Sequence, residues 1–274
     1  MYHPLPRQWL EATNRIDVQF DNGAQTKTGS GSGFWLADRG GYCAFITNRH
    51  VVDLAYRDRK YVPEGYRLSR LTVSSHSAVP RNQGVVVDLE SDIDIRVHAS
   101  YRVDIAILIP EDTAGRTLPI SIPAYPLLAD RSFFEALPWG AQVSFASFQA
   151  WRDSTTQKPI LRTGIVASDP LDDYSSDIVD RKSALLLEAF SFSGSSGSPV
   201  FANAFGLQTD GTLLTGGPGF REARLIGVVC GHIPNREDMT VASSMHVGLS
   251  YCHKSTILLE MLSQPDSLER LGGD

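Results

Sequence analysis

The chain has 274 residues, of which 42% are hydrophobic and 20% charged, and its formal net charge is −6 at pH 7. Such a composition can form a buried core, which excludes a disordered chain. The acidic balance argues against a nucleic-acid partner, because phosphate-binding surfaces need clustered Lys and Arg. No apolar run reaches the roughly 18 residues of a membrane helix, so we also expect no membrane partner.

The cysteines and the N-terminal residues favour a reducing compartment. Three cysteines, Cys43, Cys230 and Cys252, are an odd and sparse set for a disulfide scaffold. Residues 1–7 lack the basic start and apolar stretch of a secretory signal. We therefore expect a cytoplasmic protein.

Short strands are predicted along most of the chain. The first set covers residues 16–20, 33–36, 42–46, 85–89, 93–97 and 105–109. Residues 120–126, which contain Pro123 and Pro126, predict an extended linker. The second set covers residues 142–148, 160–167, 184–190, 199–202 and 225–230. A helix is predicted at residues 255–262, with Ser255 as its N-cap.

This pattern predicts an all-β protein with two strand-rich units. We expect an N-terminal β unit at residues 1–115 and a crossover linker at residues 116–135. A C-terminal β unit follows at residues 136–253, and a helix with a tail occupies residues 254–274.

The segment Gly194-Ser195-Ser196-Gly197-Ser198 is the most informative one for function. A nucleophilic serine needs a tight turn that exposes its hydroxyl and directs backbone N–H groups at a developing oxyanion. Glycine supplies the backbone freedom that such a turn requires. We therefore take Ser196 as a candidate nucleophile and the N–H groups of Gly194 and Ser196 as the oxyanion hole. The simpler alternative is an ordinary Ser/Gly-rich loop.

A serine nucleophile needs an imidazole base and a buried carboxylate that orients it. His50 is the best base, because it follows an apolar strand and can project from a rigid element into a cleft. Other histidines, such as His3, His76 and His98, lie in loops or at a strand end. Asp104 precedes an apolar strand, where an unpaired acid would be costly. Its competitors Asp88, Asp92 and Asp94 alternate with apolar residues, as on a solvent-facing strand.

His50, Asp104 and Ser196 stand in the order His, Asp, Ser, and in this the chain resembles the trypsin/chymotrypsin superfamily of serine proteases. Its nearest branches are the bacterial heat-shock (HtrA-type) proteases and the glutamyl endopeptidases. Four segments carry the resemblance: Gly31-Ser32-Gly33-Phe34, Thr47-Asn48-Arg49-His50-Val51-Val52, Val103-Asp104-Ile105-Ala106-Ile107-Leu108 and Gly194-Ser195-Ser196-Gly197-Ser198-Pro199-Val200.

The resemblance implies two six-stranded antiparallel β-barrels with an active site in the cleft between them. His50 and Asp104 would come from the first barrel and Ser196 from the second, and together they would cleave peptide bonds through an acyl-enzyme. The substrate would contact Phe190, Ser191, Cys230, Gly231 and His232. The resemblance implies a protein or peptide substrate and no cofactor.

Several positions depart from the digestive members of the superfamily. Ser195 replaces the aspartate that pairs with a newly cut N-terminus, so activation by insertion of the N-terminus is not expected. Phe190 stands where trypsin-like enzymes carry an aspartate, which disfavours cleavage after Lys or Arg. His232 or His246 remains an alternative contact for an acidic substrate residue.

Other charged and metal-ligating residues form weaker patterns. The aspartates between residues 169 and 180 predict a solvated loop, with a regulatory contact as the alternative. The spacing of Cys230, His232, Cys252 and His253 matches no zinc signature, so we expect no metal. Because no zymogen device is evident, a protease latent until a regulatory protein partner binds is one possibility. A catalytically silent binding module with the same fold is the other.

Overall fold

The computed structural model describes residues 9, 11–37, 43–57, 65–75, 85–88, 93–110, 121–152, 158–206, 220–234, 246–264 and 268–271. His3, His76 and Asp92 lie outside these residues. The described chain is built mainly from β-strands, with a few short helices. The prediction of an all-β protein is therefore confirmed.

The first half of the chain, together with one strand from the C-terminal segment, forms a nine-stranded sheet. Its strands are β1 (Thr13–Asp21), β2 (Thr26–Ala37), β3 (Cys43–Thr47), β4 (Arg67–Ser75), β5 (Val85–Asp88), β6 (Ile93–His98), β7 (Ala106–Pro110), β8 (Ser121–Pro123) and β15 (Leu268–Arg270). The strand order is β15-β6-β7-β3-β2-β1-β4-β5, and β8 pairs in parallel with β2.

Here the structure differs from the expected closed, six-stranded, antiparallel barrel. Among the described strands, the first sheet does not close on itself. One reason is the C-terminal strand β15, which pairs with β6 in the register Leu268 to His98. The outer edge of β6 is thereby occupied by the end of the chain and is not available to β5.

The second half forms the closed six-stranded barrel that was expected. Its strands are β9 (Gln142–Ser147), β10 (Ile160–Val166), β11 (Ala184–Glu188), β12 (Pro199–Ala202), β13 (Arg224–Pro234) and β14 (His246–Lys254). They close in the order β10-β11-β14-β13-β12-β9, with antiparallel pairs throughout. Phe145, Leu185 and Ile226 are fully buried inside it.

The described helices are short: α1 (Arg49–Val52), α2 (Leu54–Arg57), α3 (Ala124–Leu127), α4 (Arg131–Ala136) and α5 (Ser255–Ser263). The predicted C-terminal helix is present as α5. Its N-cap is Lys254, and the predicted N-cap Ser255 is the first helical residue. The Ser255 hydroxyl donates to the Ala129 carbonyl at 2.6 Å. None of the described helices has the length and apolar character needed to cross a membrane.

One hydrophobic cluster joins the two halves. It combines Phe34 and Ile105 from the first half with Phe201 from the barrel and Leu258 from α5, all at most 1% exposed. Near this cluster, Glu260 of α5 pairs with Lys182 at 2.8 Å and lies 3.2 Å from His98. Burial of this cluster fixes how the sheet and the barrel face each other.

The barrel core offers a matched test of stability. Leu185 is 0% exposed inside the barrel, whereas Leu161 on the neighbouring strand β10 is 49% exposed. We expect Leu185→Ala to lower the free energy of unfolding by about 2–5 kcal/mol, because it leaves a cavity, and Leu161→Ala by less than about 1 kcal/mol. Urea unfolding measures both, and equal losses would contradict this assignment of the core.

Candidate active site

The end of β3 places His50 next to Asp104. Thr47 and Asn48 are fully buried, and α1 begins directly after them with His50 as its second residue. The Asn48 side-chain amide donates to the Asp104 carbonyl at 2.6 Å. His50 and Asp104, 54 positions apart, are therefore brought together by the buried Asn48 hydrogen bond as well as by the pairing of β3 with β7.

Among the described residues, both hydrogen bonds to the Asp104 carboxylate come from His50. The backbone N–H of His50 donates to Oδ1 at 2.9 Å, and His50 Nδ1 lies 2.7 Å from Oδ2. Because a carboxylate only accepts hydrogen bonds, Nδ1 carries the proton and Nε2 carries the lone pair. This is the tautomer that a general base at Nε2 requires.

Asp104 is 2% exposed, yet its carboxylate remains charged. Burial by itself would raise the pKa of Asp104. The positive charge that His50 can carry and the hydrogen bonds from His50 outweigh burial and hold the pKa below its ordinary value. An ionised Asp104 then stabilises a proton gained by His50.

Backbone geometry in the nucleophile loop depends on Gly194. The Ser195 N–H donates to the Phe192 carbonyl at 2.8 Å, and Gly194 has φ +93°. Positive φ at the third position of this turn defines type II, which favours glycine. A Cβ at Gly194 would also collide with the Phe148 carbonyl oxygen. The turn type matters because the Ser193–Gly194 peptide is rotated by roughly half a turn between types I and II.

The N–H groups of this loop divide into two sets. Those of Ser195, Gly197 and Ser198 donate to backbone carbonyls at 2.8–3.1 Å. Those of Gly194 and Ser196 have no hydrogen-bond partner among the described residues. These two N–H groups are the ones expected to form an oxyanion hole. Gly194 and Ser196 both line a cleft that His50 lines as well.

Ser32 connects the first sheet to this loop and was not singled out from the sequence. Its hydroxyl donates to the Gly194 carbonyl at 2.7 Å and accepts the Phe148 N–H at 3.0 Å. Its own N–H donates to the Ser196 carbonyl at 2.8 Å. The signal was a serine flanked by Gly31 and Gly33 at the point where β2 becomes buried.

Ser195 lies in a buried polar network. Unlike the Ser32 contacts, this network has no local sequence signal. Its hydroxyl is within 3.3 Å of Ser147 Oγ and of the side-chain amide of Gln149, and it accepts the Phe192 N–H at 3.1 Å. Arg162 in turn donates to Gln149 at 2.8 Å. At Ser195, neutral hydrogen bonds therefore hold the loop without an ion pair.

The nucleophile candidate and the base candidate share one cleft. A cavity of about 990 Å³ is lined by His50 and Ser196 from the two sides. The structure records no hydrogen bond between these two described side chains, so it joins His50 to Asp104 directly and brings Ser196 only into the same cleft. Catalytic hydrogen bonds are often long in unliganded enzymes and tighten with substrate bound.

The expected substrate-contact residues lie around this cleft. Ser191, Cys230, Gly231 and His232 line it, whereas Phe190 is 49% exposed and is not among the described lining residues. Phe190 stacks on Phe192, with ring centroids 6.2 Å apart. Among the described residues that line the cleft, none carries a carboxylate.

His246 is poorly suited to bind an acidic group. Its Nε2 lies 3.0 Å from the Ser191 N–H and its Nδ1 lies 2.8 Å from the Gly248 N–H. A charged imidazolium would place donors against donors at both positions. Burial, together with the nearby His232, lowers the pKa of His246 to about 4, so the ring is neutral at pH 7. This neutrality argues against His246 as the contact for an acidic residue.

Cys230 is a buried neutral thiol at the edge of the cleft. Burial, followed by the charge of Asp104, raises the pKa of Cys230 well above its ordinary value, and the thiol donates to the Val228 carbonyl at 3.3 Å. Cys43, Cys230 and Cys252, all among the described residues, form no disulfide. The described residues contain no group of three or more side chains suited to hold a metal ion.

The alternative acids and histidines have other contacts. Asp94 pairs with Arg96 at 2.6 Å, and His98 lies 3.2 Å from Glu260. In the acidic segment, Asp173 accepts the Ser183 N–H at 2.8 Å. The segment thus packs against the barrel at this residue.

Comparisons with known proteins give little help with function. No protein-family model matches the chain, and no curated protein matches it. Among solved structures, one titled "Crystal structure of Deg5" is similar, with a TM-score of 0.48 and 19% sequence identity, over 93% of this chain and 88% of that chain.

Removal of the Ser32 hydroxyl tests the link between the sheet and the loop. Ser32→Ala would remove two described hydrogen bonds in a buried site, those to the Gly194 carbonyl and from the Phe148 N–H, at a cost of about 1–3 kcal/mol in the free energy of unfolding. Ser30→Ala is the matched control, because Ser30 is exposed on the same strand. Thermal and urea unfolding compare the two variants, and indistinguishable stabilities would contradict the inferred role of Ser32.

The neutral histidines predict a pH dependence of stability. Burial lowers the pKa of both His246 and His253 from 6.5 to about 4. Between these values the unfolded chain binds more protons than the folded one, so stability is full above pH 6.5 and is lost as the pH falls towards 4. Urea unfolding at pH 7 and pH 4.5 measures this loss, which His246→Asn should reduce. An unchanged loss would argue against a neutral, half-buried His246.

Proposed function

We propose that this chain is a chymotrypsin-like serine endopeptidase, with His50, Asp104 and Ser196 as its catalytic triad. The observation that carries the proposal is the pair of contacts from His50 to the buried Asp104 carboxylate, at 2.7 and 2.9 Å. These contacts set the imidazole tautomer in a cleft shared with Ser196. Burial of a carboxylate is costly even when it is hydrogen-bonded, so a chemical role explains this contact better than stability does.

In the proposed reaction, Ser196 Oγ attacks the carbonyl carbon of the scissile peptide while His50 Nε2 takes the hydroxyl proton. His50 then gives this proton to the leaving amine, which produces an acyl-enzyme. In the deacylation step, water attacks the ester while His50 takes its proton. His50 then returns this proton to Ser196 Oγ, which releases the acid product. Asp104 keeps the proton at Nδ1 and stabilises the transient imidazolium. No cofactor takes part in the proposed reaction.

The unpartnered N–H groups of Gly194 and Ser196 would stabilise the oxyanion of each tetrahedral intermediate. Such preorganised donors cost no reorganisation during the reaction, and loss of one typically slows it by on the order of 10²–10³.

The substrate would bind in an extended conformation along β13. The last β12–β13 pair joins Pro199 to Val228, so the edge of residues 230–232 extends beyond β12 and lines the cleft. An exposed strand edge binds a peptide main chain by hydrogen bonds, with side-chain pockets adding selectivity. Because Phe192 and the neutral Ser191 line this cleft, we propose an uncharged residue at the cleavage position.

A silent binding module with this fold is the second candidate. One observation favours it, namely that no hydrogen bond joins the described side chains of Ser196 and His50. The same observation supports a latent enzyme in which a regulatory protein partner brings the two side chains together. The two differ chemically, because a latent enzyme still forms a slow covalent adduct at Ser196.

Replacement of the nucleophile tests the proposal directly. Ser196→Ala should lower peptide hydrolysis by on the order of 10⁴-fold or more and abolish the fluorophosphonate adduct, because no oxygen remains to attack. Ser69→Ala, which alters an exposed serine on β4 that is not among the residues described as lining the cleft, should leave both unchanged. Mass spectrometry locates the adduct. Unreactive wild-type protein with no adduct at Ser196 would favour the binding module.

The oxyanion hole has its own test. Gly194→Ala combines a left-handed φ with a collision, so the turn must change and labelling of Ser196 should slow by about 10²–10³. Gly23→Ala is the control, because Gly23 has φ +84° but open space around its Cβ position. It should cost stability of about 1 kcal/mol and leave the labelling rate unchanged. Equal labelling rates in the two variants would disprove the role of Gly194.

A further inference from the structure

A second histidine lies directly behind the Asp104 backbone. His253, near the end of β14, is fully buried. Its Nε2 is 2.8 Å from the Asp104 backbone nitrogen, and its Nδ1 is 2.8 Å from the Lys182 carbonyl oxygen. His253 belongs to the barrel, whereas Asp104 lies two residues before β7 of the first sheet. The hydrogen bond between them therefore crosses from one half of the protein to the other.

The partners of His253 determine its protonation. The Lys182 carbonyl only accepts, so Nδ1 carries the proton and donates it. The Asp104 backbone N–H only donates, so Nε2 must accept. A second ring proton would place two donors face to face, and burial accordingly lowers the pKa of His253 to about 4. His253 is therefore a neutral imidazole with both nitrogens satisfied.

These contacts complete the support of the Asp104 main chain. Asn48 donates to the Asp104 backbone carbonyl at 2.6 Å, and His253 accepts the Asp104 backbone N–H. Cys230 lies near this carboxyl but donates its thiol proton to the Val228 carbonyl, so both described contacts to the carboxylate come from His50. The direction of the carboxylate therefore depends on how firmly the Asp104 backbone is held.

We propose that His253 is a positioning residue for the catalytic triad: it accepts the Asp104 N–H from across the interface between the two halves and thereby aims the carboxylate that orients His50. This inference rests on the proposed function. The described hydrogen bonds of the His253 ring go to Asp104 and Lys182, and His253 is not among the residues described as lining the cleft. Its effect is on the geometry of Asp104.

Two amide replacements separate positioning from general support. In His253→Gln, the terminal oxygen reaches the place of Nε2, so an acceptor for the Asp104 N–H is kept while the donor to Lys182 is lost. In His253→Asn, the terminal nitrogen lies near the place of Nδ1, so the donor to Lys182 is kept and the Asp104 N–H is left unpaired. Each variant loses one buried hydrogen bond, so similar losses of stability are expected.

The rates should differ between these variants. We expect His253→Asn to lower kcat, and the rate of fluorophosphonate labelling at Ser196, by about tenfold or more with KM unchanged, because a misdirected Asp104 orients His50 poorly. In His253→Gln, kcat and the labelling rate should both stay within about threefold of wild type. Equal rates in the two variants, or rates that only follow their stabilities, would overturn the inference.

Nuclear magnetic resonance gives a readout that does not depend on activity. In wild-type protein, a nitrogen–nitrogen coupling across the hydrogen bond should join the Asp104 amide to His253 Nε2, and its absence would overturn the inference even if both variants fail to fold. The downfield proton of His50 Nδ1 should persist in His253→Gln and broaden or shift in His253→Asn. If wild-type Ser196 is not labelled, the proposed function fails, whereas these signals still test whether His253 positions Asp104.

Discussion

A carboxylate withdrawn from water must find compensating partners, and the site is organised around this requirement at Asp104. Its carboxyl group is 3% exposed, and His50 supplies both of its described hydrogen bonds. Removal of one partner from such a pair leaves an uncompensated charge, which typically costs 3–5 kcal/mol. The contact therefore couples folding of the end of β3 to folding of the segment before β7.

The arrangement also depends on how the two halves meet. Asp104 belongs to the first half, but the histidine that accepts its N–H comes from the barrel. In turn, Ser32 on β2 of the first half donates a hydrogen bond to the Gly194 carbonyl in a loop of the second half. A shared hydrophobic cluster and the pairing of β15 with β6 hold the halves together. The proposed chemistry is thus a property of the interface between the sheet and the barrel.

Much of this could be predicted from the sequence, because the signals are local. Alternating apolar residues predict strands, and a serine between glycines predicts a tight loop with exposed donors. An acid placed before an apolar strand must be paired if buried, which singled out Asp104. The helix at the C-terminus also follows from local periodicity. By contrast, closure of the first half was expected from a resemblance, and the described sheet is open.

The sequence by itself determined the strand-rich character of both halves and the three residues proposed for catalysis. Only the tertiary structure decided which side chains hold those residues, because such contacts join segments far apart in the chain. His253 is 149 residues from Asp104, and Ser32 is 162 from Gly194. Strand pairing and the packing of the two halves bring them together, and neither leaves a periodic signal in the chain.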